Sequence, residues 1–374
     1  MRINGAVLHE MGALTPYSES RPLAIEQVEL EPPGTGEVLV KIAAAGLCHS
    51  DLSVINGDRP RPMPMLLGHE AAGIVEHAGT GVDDLRKGDH VVMVFVPSCG
   101  HCGPCAEGRP ALCEPGAVAN TAGTLLTGAR RLTRDGQPLN HHLGCSAFAE
   151  YATVSRRSLV KIDPELPLAE AALVGCAVLT GVGAVVNTAR VSVGQTVAVI
   201  GLGGVGLAAL IGAVCAGASR IVAIDLDDDK LTLAASLGAT DTYNAKSESC
   251  SEDVRTATRG GVDFALEMAG SVKAMELAYR ITRRGGTTIS AGLPPPTHVF
   301  PVPHVNMVAE ERTIKGSYIG TCVPVRDLPR YISLYRQGRL PVDRLLTGRL
   351  RLADINLGFD RLREGTAVRQ VVEF

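Results

Sequence analysis

The sequence contains no tryptophan and few other aromatics, with 6 Phe and 7 Tyr in 374 residues. It is also poor in charge, at 20% against 45% hydrophobic residues, and this balance excludes a disordered chain and fits an α/β enzyme. Basic residues are not in excess. The formal net charge of -3 gives no nucleic-acid signal. The first residues, "MRINGAVLHEMGALTPYSES", lack the basic start and continuous apolar run of a signal peptide. No uninterrupted apolar stretch reads as long enough to span a bilayer, so the expected location is the cytoplasm, with no membrane partner. Low-complexity segments and solenoid repeats are missing as well.

What is present divides into two grammars, as expected for a chain longer than one hydrophobic core usually grows. From about Val38 to Val96, short apolar strands broken by turns recur, as in "GEVLVKIAAAG", "HEAAGIVEHAG" and "GDHVVMV". From Ala177, "TVAVI", "GLGGVG", the apolar run "LAALIGAVCAGA" and "RIVAID" begin a succession of βαβ units that extends to about Gly320. Beyond Thr321, "VPVRDLPRYISLYRQGRL" reads as a helix and "RQVVEF" as a closing strand.

Ten cysteines in a reducing compartment should stay reduced, so clustered thiols read as metal ligands. Cys99, Cys102, Cys105 and Cys113 follow C-x2-C-x2-C-x7-C, with turns rich in Gly and Pro between them, and such spacing lets four thiolates converge on a tetrahedral ion. Zinc is the first choice. An iron-sulfur site is the rival, although the bacterial ferredoxin run has a shorter last gap and serves a second cluster that has no ligands here. With four protein ligands such a zinc has no open position and is structural.

Elsewhere stand "GLCHSD" with Cys48, "LLGHEAAG" with His69 and Glu70, and "LVGCAVLTG" with Cys176. Two thiolates and an imidazole suit an open, catalytic zinc site, but each residue alone reads equally as a packed core residue. Taken with the four-cysteine loop, "GLGGVG" and the terminal "VRQVVEF", these motifs resemble the zinc-dependent medium-chain alcohol dehydrogenases over essentially the whole chain. The resemblance implies two domains. One is a β-rich GroES-like catalytic domain, residues 1–177 completed by 321–374; the other is a Rossmann doubly wound parallel sheet that binds NAD, residues 178–320. It further implies that Cys48, His69 and Cys176 bind a catalytic zinc, that Glu70 lies behind it or visits it transiently, and that Asp51 orients the His69 imidazole. Two zinc ions per chain are therefore expected. A carboxylate behind a metal-bound His fixes the tautomer and strengthens the ligand.

Gly201, Gly203 and Gly206 form G-x-G-x-x-G directly after an apolar strand, with Gly204 and Val205 inside it. Such a loop brings a pyrophosphate close to a helix N-terminus, where free N–H groups favour an anion. Asp225 ends the next strand at the spacing of an acid that bonds the ribose hydroxyls of NAD and repels a 2'-phosphate; its other reading is as the cap of the following helix. By resemblance, Lys230 contacts the adenosine ribose, His49 and Arg369 face the pyrophosphate, and Thr180 packs beside the nicotinamide.

The expected reaction is hydride exchange between an alcohol and NAD, in either direction, with zinc as the Lewis acid. By resemblance, the Ser50 hydroxyl bonds the substrate oxygen and carries its proton away. Several relatives finish that relay with a His where this chain has Ser53, which leaves water or His49 for the last step. Relatives that act on the glutathione adduct of formaldehyde carry acidic residues where this chain reads "NGDRPRPMPM", with Arg59 and Arg61. The reversed sign, together with apolar walls that include Phe95 and Leu293, favours a carbon-rich primary alcohol over S-hydroxymethylglutathione, unless both arginines are simply solvated. A non-enzymatic zinc module leaves the glycine loop and Cys48, His69 and Cys176 unexplained, and zinc-free quinone reductases lack both cysteine sets. The family is commonly dimeric through an edge strand, here "RTIKGSYIG", a segment that reads equally as an internal strand.

Overall fold

The computed structural model describes residues 1–374 as two compact units. One comprises Met1–Cys176, Val323–Ile332 and Val342–Phe374; the other comprises Ala177–Cys322 and Ser333–Pro341.

In the first unit most strand pairs are antiparallel, and within Glu37–Gly46 the residues Val38 to Ala44 alternate buried with more exposed positions, as expected where one face meets a core. Arg2–Leu8, Leu23–Leu30, Leu132–Arg134, Gln137–His141 and Met65–Leu66 close into a barrel. Their apolar residues, Ile3, Val7, Val28, Leu30, Leu66, Leu132 and Leu139 among them, form one buried cluster. A second sheet runs Leu159–Lys161, His90–Met93, Glu70–Ala78, Glu37–Gly46, Arg369–Glu373, Leu346–Leu350, with Tyr151–Ser155 also paired to Glu37–Gly46. Its register sets Gly46 opposite Glu70 on one side and Val371 on the other. That pairing gathers the ends of three strands, and with them Cys48, Glu70 and Arg369, from distant parts of the chain.

In the second unit six strands pair in parallel, in the order Asp241–Asn244, Arg220–Asp225, Thr196–Ile200, Val262–Glu267, Thr282–Ser290, Thr313–Gly316. Numbered along the chain this is 3-2-1-4-5-6, the dinucleotide-binding order with its reversal beside the first strand. Strands such as "TVAVI" run continuously apolar because helices cover both faces of such a sheet, and Ala198, Ile200, Val222, Ile224, Val254 and Ile281 share one core. Thr313–Gly316, within "RTIKGSYIG", stands at the sheet edge and pairs only with Thr282–Ser290.

The helix Leu168–Ala189 spans 22 residues with a mean hydropathy of 1.9 in its most apolar window, long and apolar enough by composition to cross a membrane. Of that window, 83% is buried inside the protein, as an all-round apolar helix must be in a large core. Gly, Thr and Asn interrupt its apolar run, and its burial agrees with the expectation that no segment spans a bilayer. The helix tightens and loosens along its length, with π-helical turns at Val174–Val178 and Ala184–Ala189. Cys176 lies in the first of these.

Candidate metal and cofactor sites

Cys48 precedes the short helix His49–Ile55, His69 precedes the strand Glu70–Ala78, and Cys176 lies on the buried helix just described. Their ligand atoms lie within 4.8 Å of one another, with Cys176 Sγ 3.7 Å from His69 Nε2, and all three residues are buried. The preceding Gly175 makes this approach possible, because a Cβ there would sit 2.2 Å from the carbonyl oxygen of Met93. Any side chain would push the helix, and Cys176 with it, away from the strand His90–Met93.

The other imidazole nitrogen, His69 Nδ1, lies 3.1 Å from Asp51 Oδ1. Asp51 is fully buried, and its Oδ2 also accepts from Cys48 N at 3.3 Å while Oδ1 accepts from Gly68 N at 3.2 Å. One carboxylate thus ties the Cys48 backbone to the His69 ring. Burial alone would raise the Asp51 pKa, but His69 and His142 outweigh it and hold the carboxyl below its usual range. Burial likewise opposes a charged His69, yet Asp51 and Cys48 together push its pKa well up. The two thiols split. A hydrogen bond from Cys176, aided by His69, holds Cys48 well down, and the same bond with burial drives Cys176 well up. Two sulfurs and a nitrogen, one thiol already favouring its thiolate, form a donor set that fits zinc with a fourth position open.

Glu70 is buried behind these residues, and its Oε2 accepts from Arg369 Nη1 at 3.1 Å. Burial raises its pKa to about 7 against the pull of Arg369. Arg369 also donates to Leu47 O at 3.1 Å. The guanidinium expected to face a pyrophosphate is therefore engaged in a buried ion pair.

In the cysteine loop, the sulfur atoms of Cys99, Cys102, Cys105 and Cys113 also lie within 4.8 Å of one another. Backbone N–H groups point at two of them: Cys102 N lies 3.3 Å from Cys99 Sγ, and Cys99 N lies 3.2 Å from Cys113 Sγ. Despite desolvation, the N–H groups of His101 and Cys102 bring Cys99 down to about 6, whereas desolvation and the neighbouring thiols push Cys105 up to about 12. Four thiolates this close repel one another, and a divalent cation at their centre fits the arrangement.

In the second unit, Gly201, Gly203, Gly204, Val205 and Gly206 join the strand Thr196–Ile200 to the helix Gly204–Cys215. A Cβ on Gly206 would lie 1.8 Å from Gly201 O, whereas one on Gly203 would meet nothing within 4 Å. The third glycine is thus required by helix–strand packing, and the second leaves an open cradle above the helix N-terminus, where a pyrophosphate fits. Asp225 accepts from Leu202 N at 2.6 Å, which places its carboxylate against this loop. The cap of the next helix is Asp227, accepting from Asp229 N and Lys230 N, so the capping alternative for Asp225 fails. Lys230 is half-buried in the first turn of that helix, and Thr180 is buried.

Two family models cover most of the chain: the alcohol dehydrogenase GroES-like domain matches residues 34–164 and the zinc-binding dehydrogenase domain residues 204–337. Among solved structures, an alcohol dehydrogenase zinc-binding domain protein from Burkholderia ambifaria is 34% identical over 100% of this chain and 99% of its own, with a TM-score of 0.94. The chain belongs to the zinc-dependent medium-chain alcohol dehydrogenases. A benzyl alcohol dehydrogenase from Acinetobacter calcoaceticus is similar at 31% identity, 100% and 99% coverage and TM-score 0.93. A zinc-binding dehydrogenase from Sinorhizobium meliloti 1021 bound to NADP matches at 25% identity, 100% and 100% coverage and TM-score 0.80.

The remaining expected residues of this alcohol dehydrogenase chain fall as follows. Ser50 is half-buried in the first turn of the helix that follows Cys48, and His49 beside it is exposed. Ser53 turns its hydroxyl back onto its own helix, donating to His49 O at 2.8 Å. Phe95 is buried with its ring edge-on to His69, centroids 5.3 Å apart. Leu293, in the second unit, is half exposed. Arg59 and Arg61 are half-buried, not fully solvated, and the charge of Arg61 bears on the buried His142. His142 itself went unread in the sequence. Its ring meets that of His69 edge-on at 5.4 Å, and no spacing rule connects residues 69 and 142.

Proposed function

We propose that this member of the family is an NAD-dependent alcohol dehydrogenase that interconverts a primary, carbon-rich alcohol and its aldehyde. The observation that carries the reading is the convergence of Cys48, His69 and Cys176 in a buried site, backed by Asp51. Zinc held there supplies Lewis acidity, which lowers the pKa of an alcohol hydroxyl toward neutrality. The Ser50 hydroxyl receives the substrate proton and passes it toward solvent. With the Ser53 hydroxyl committed to His49 O, that proton leaves by water or by the His49 imidazole. Asp51 keeps His69 in one tautomer, and Phe95 closes an apolar wall beside it.

The glycine loop binds the cofactor pyrophosphate. Asp225 takes its ribose hydroxyls and disfavours a 2'-phosphate, which supports NAD over NADP. Similarity to a benzyl alcohol dehydrogenase supports an aromatic or otherwise carbon-rich substrate. Arg59 and Arg61 oppose the positive end of a glutathione adduct. A second zinc in the cysteine loop serves structure, and a homodimer forms along the edge strand Thr313–Gly316. Aliphatic, aromatic and carboxylate-bearing alcohols, assayed with NAD beside S-hydroxymethylglutathione, test the reading. Turnover of a benzylic or long aliphatic alcohol is expected, and efficient turnover of the glutathione adduct alone overturns it.

A further inference from the structure

Asp51, His69 and His142 form a second buried cluster that shares His69 with the thiol site, their donor atoms again within 4.8 Å. His142 Nδ1 lies 3.1 Å from Asp51 Oδ1, the same oxygen that faces His69 Nδ1 at 3.1 Å. The approach is close but out of line for donation, and this buried nitrogen has no other partner.

The backbone that delivers His142 is held tightly. Its amide donates to Ser146 Oγ at 2.9 Å, and its carbonyl accepts from Cys145 N at 3.0 Å. Leu143 and Ser146 both sit at φ 50, a conformation that persists where the surroundings over-determine it. Those surroundings are the segment leading into His69. Ser146 Oγ donates to Leu66 O at 2.9 Å, Phe148 N to Leu67 O at 3.0 Å and Ala147 N to Gly68 O at 3.0 Å. The turn that carries His142 is stitched, residue by residue, to the turn that carries His69.

We propose that His142 is a positioning residue for the catalytic metal site, donating its Nδ1–H to Asp51 and so fixing the carboxylate that sets the tilt of His69. The inference rests on the assignment of Cys48, His69 and Cys176 as zinc ligands. Carboxylates behind a metal-bound His change affinity about 10- to 100-fold when disturbed, and His142 acts one step further out through the same group.

The test compares His142→Phe, which keeps a ring and loses the donor, with His142→Asn, whose amide nitrogen falls near the place of Nδ1. Zinc release to a chelator is followed in the full-length protein, using the kinetic phase that Cys176→Ala removes, together with the electronic spectrum after cobalt substitution. His142→Phe is expected to release this zinc roughly tenfold faster and to shift the cobalt bands, while His142→Asn stays within about threefold of the parent. Equal losses in both variants would reduce His142 to a packing residue, and a His142→Phe protein indistinguishable from the parent would remove the proposal. If His142→Phe fails to fold, His142→Leu takes its place with the same two outcomes. Alcohol turnover by the parent is measured separately, so a failed substrate assignment and a failed role for His142 give different results.

Discussion

Arg369 Nη1 and Glu70 Oε2 meet at 3.1 Å across 299 residues of sequence, with both side chains buried. Removing one partner of a buried pair strands the other charge and costs about 3–5 kcal/mol. Arg369→Met should therefore lower the unfolding free energy of the first unit by up to about that amount in urea denaturation well above pH 7, and by less at neutral pH, where Glu70, already raised to about 7, takes up a proton once the guanidinium is gone. Adding Glu70→Gln to it should restore part of the loss, because the stranded carboxylate is then gone.

The glycine loop separates packing from binding. Gly206→Ala drives a Cβ to 1.8 Å from Gly201 O and should disrupt the loop, seen as a lowered melting temperature. Gly203→Ala meets no atom within 4 Å and should leave the melting temperature unchanged. It should nevertheless weaken NAD binding on the order of tenfold in a fluorescence titration, because its methyl group enters the pyrophosphate cradle.

Asp225 accepts backbone N–H groups on both oxygens, Oδ2 from Leu202 and Oδ1 from Leu226 and Asp227, so Asp225→Asn removes the charge and gives up one of these two acceptors. The ratio of kcat/KM for NAD to that for NADP should fall by about tenfold, equivalent to about 1.4 kcal/mol of lost discrimination. A parent protein that already prefers NADP would reverse the sense of this argument.

Metal analysis should give two zinc ions in the parent and one in either Cys105→Ser or Cys176→Ser. Only Cys105→Ser should lose substantial thermal stability, since a closed four-cysteine site contributes folding energy directly. Only Cys176→Ser should abolish alcohol oxidation in a chain that still melts cooperatively.

His141 is buried and burial lowers its pKa to about 3, below the ordinary value of 6.5. The unfolded chain binds the extra proton between these limits, so the stabilisation is complete above pH 6.5 and is lost as the pH falls toward 3. Between pH 7 and 5 the loss amounts to about 2 kcal/mol. His141→Gln retains an acceptor for Arg131 N, which lies 3.0 Å from His141 Nε2, and should flatten this limb of the stability profile.

What the sequence disclosed depended on how far apart the cooperating residues lie. The cysteine loop spans fifteen residues, so its spacing alone pointed to a tetrahedral site. The centre of the parallel sheet was legible because Thr196–Ile200 and Arg220–Asp225, covered on both faces, leave nearly continuous apolar runs, whereas the edge strands Asp241–Asn244 and Thr313–Gly316 are polar and more exposed and carry no such run. Cys48, His69 and Cys176 have no common period, and only the assembled motifs linked them. His142 was invisible because its partner belongs to another turn of the chain, brought near by barrel closure. Arg369 carried a cofactor role by resemblance, while its ion pair with Glu70 follows from strand register, which spacing does not encode.

The placement of Arg369–Glu373 beside Glu37–Gly46 also bears on the order in which the protein is made. A ribosome releases residues 177–322, the body of the second unit, before residues 342–374 of the first exist. Until those arrive, the sheet edge at Ala44–Gly46 is unpaired and the Glu70 carboxyl has no arginine. Nascent chains therefore pass through an interval in which one unit is whole and the other waits, open at the place where its chemistry is assembled. Translation that stalls in this interval leaves a folded second unit attached to an unfinished first one, a species for which chaperone engagement should be greatest.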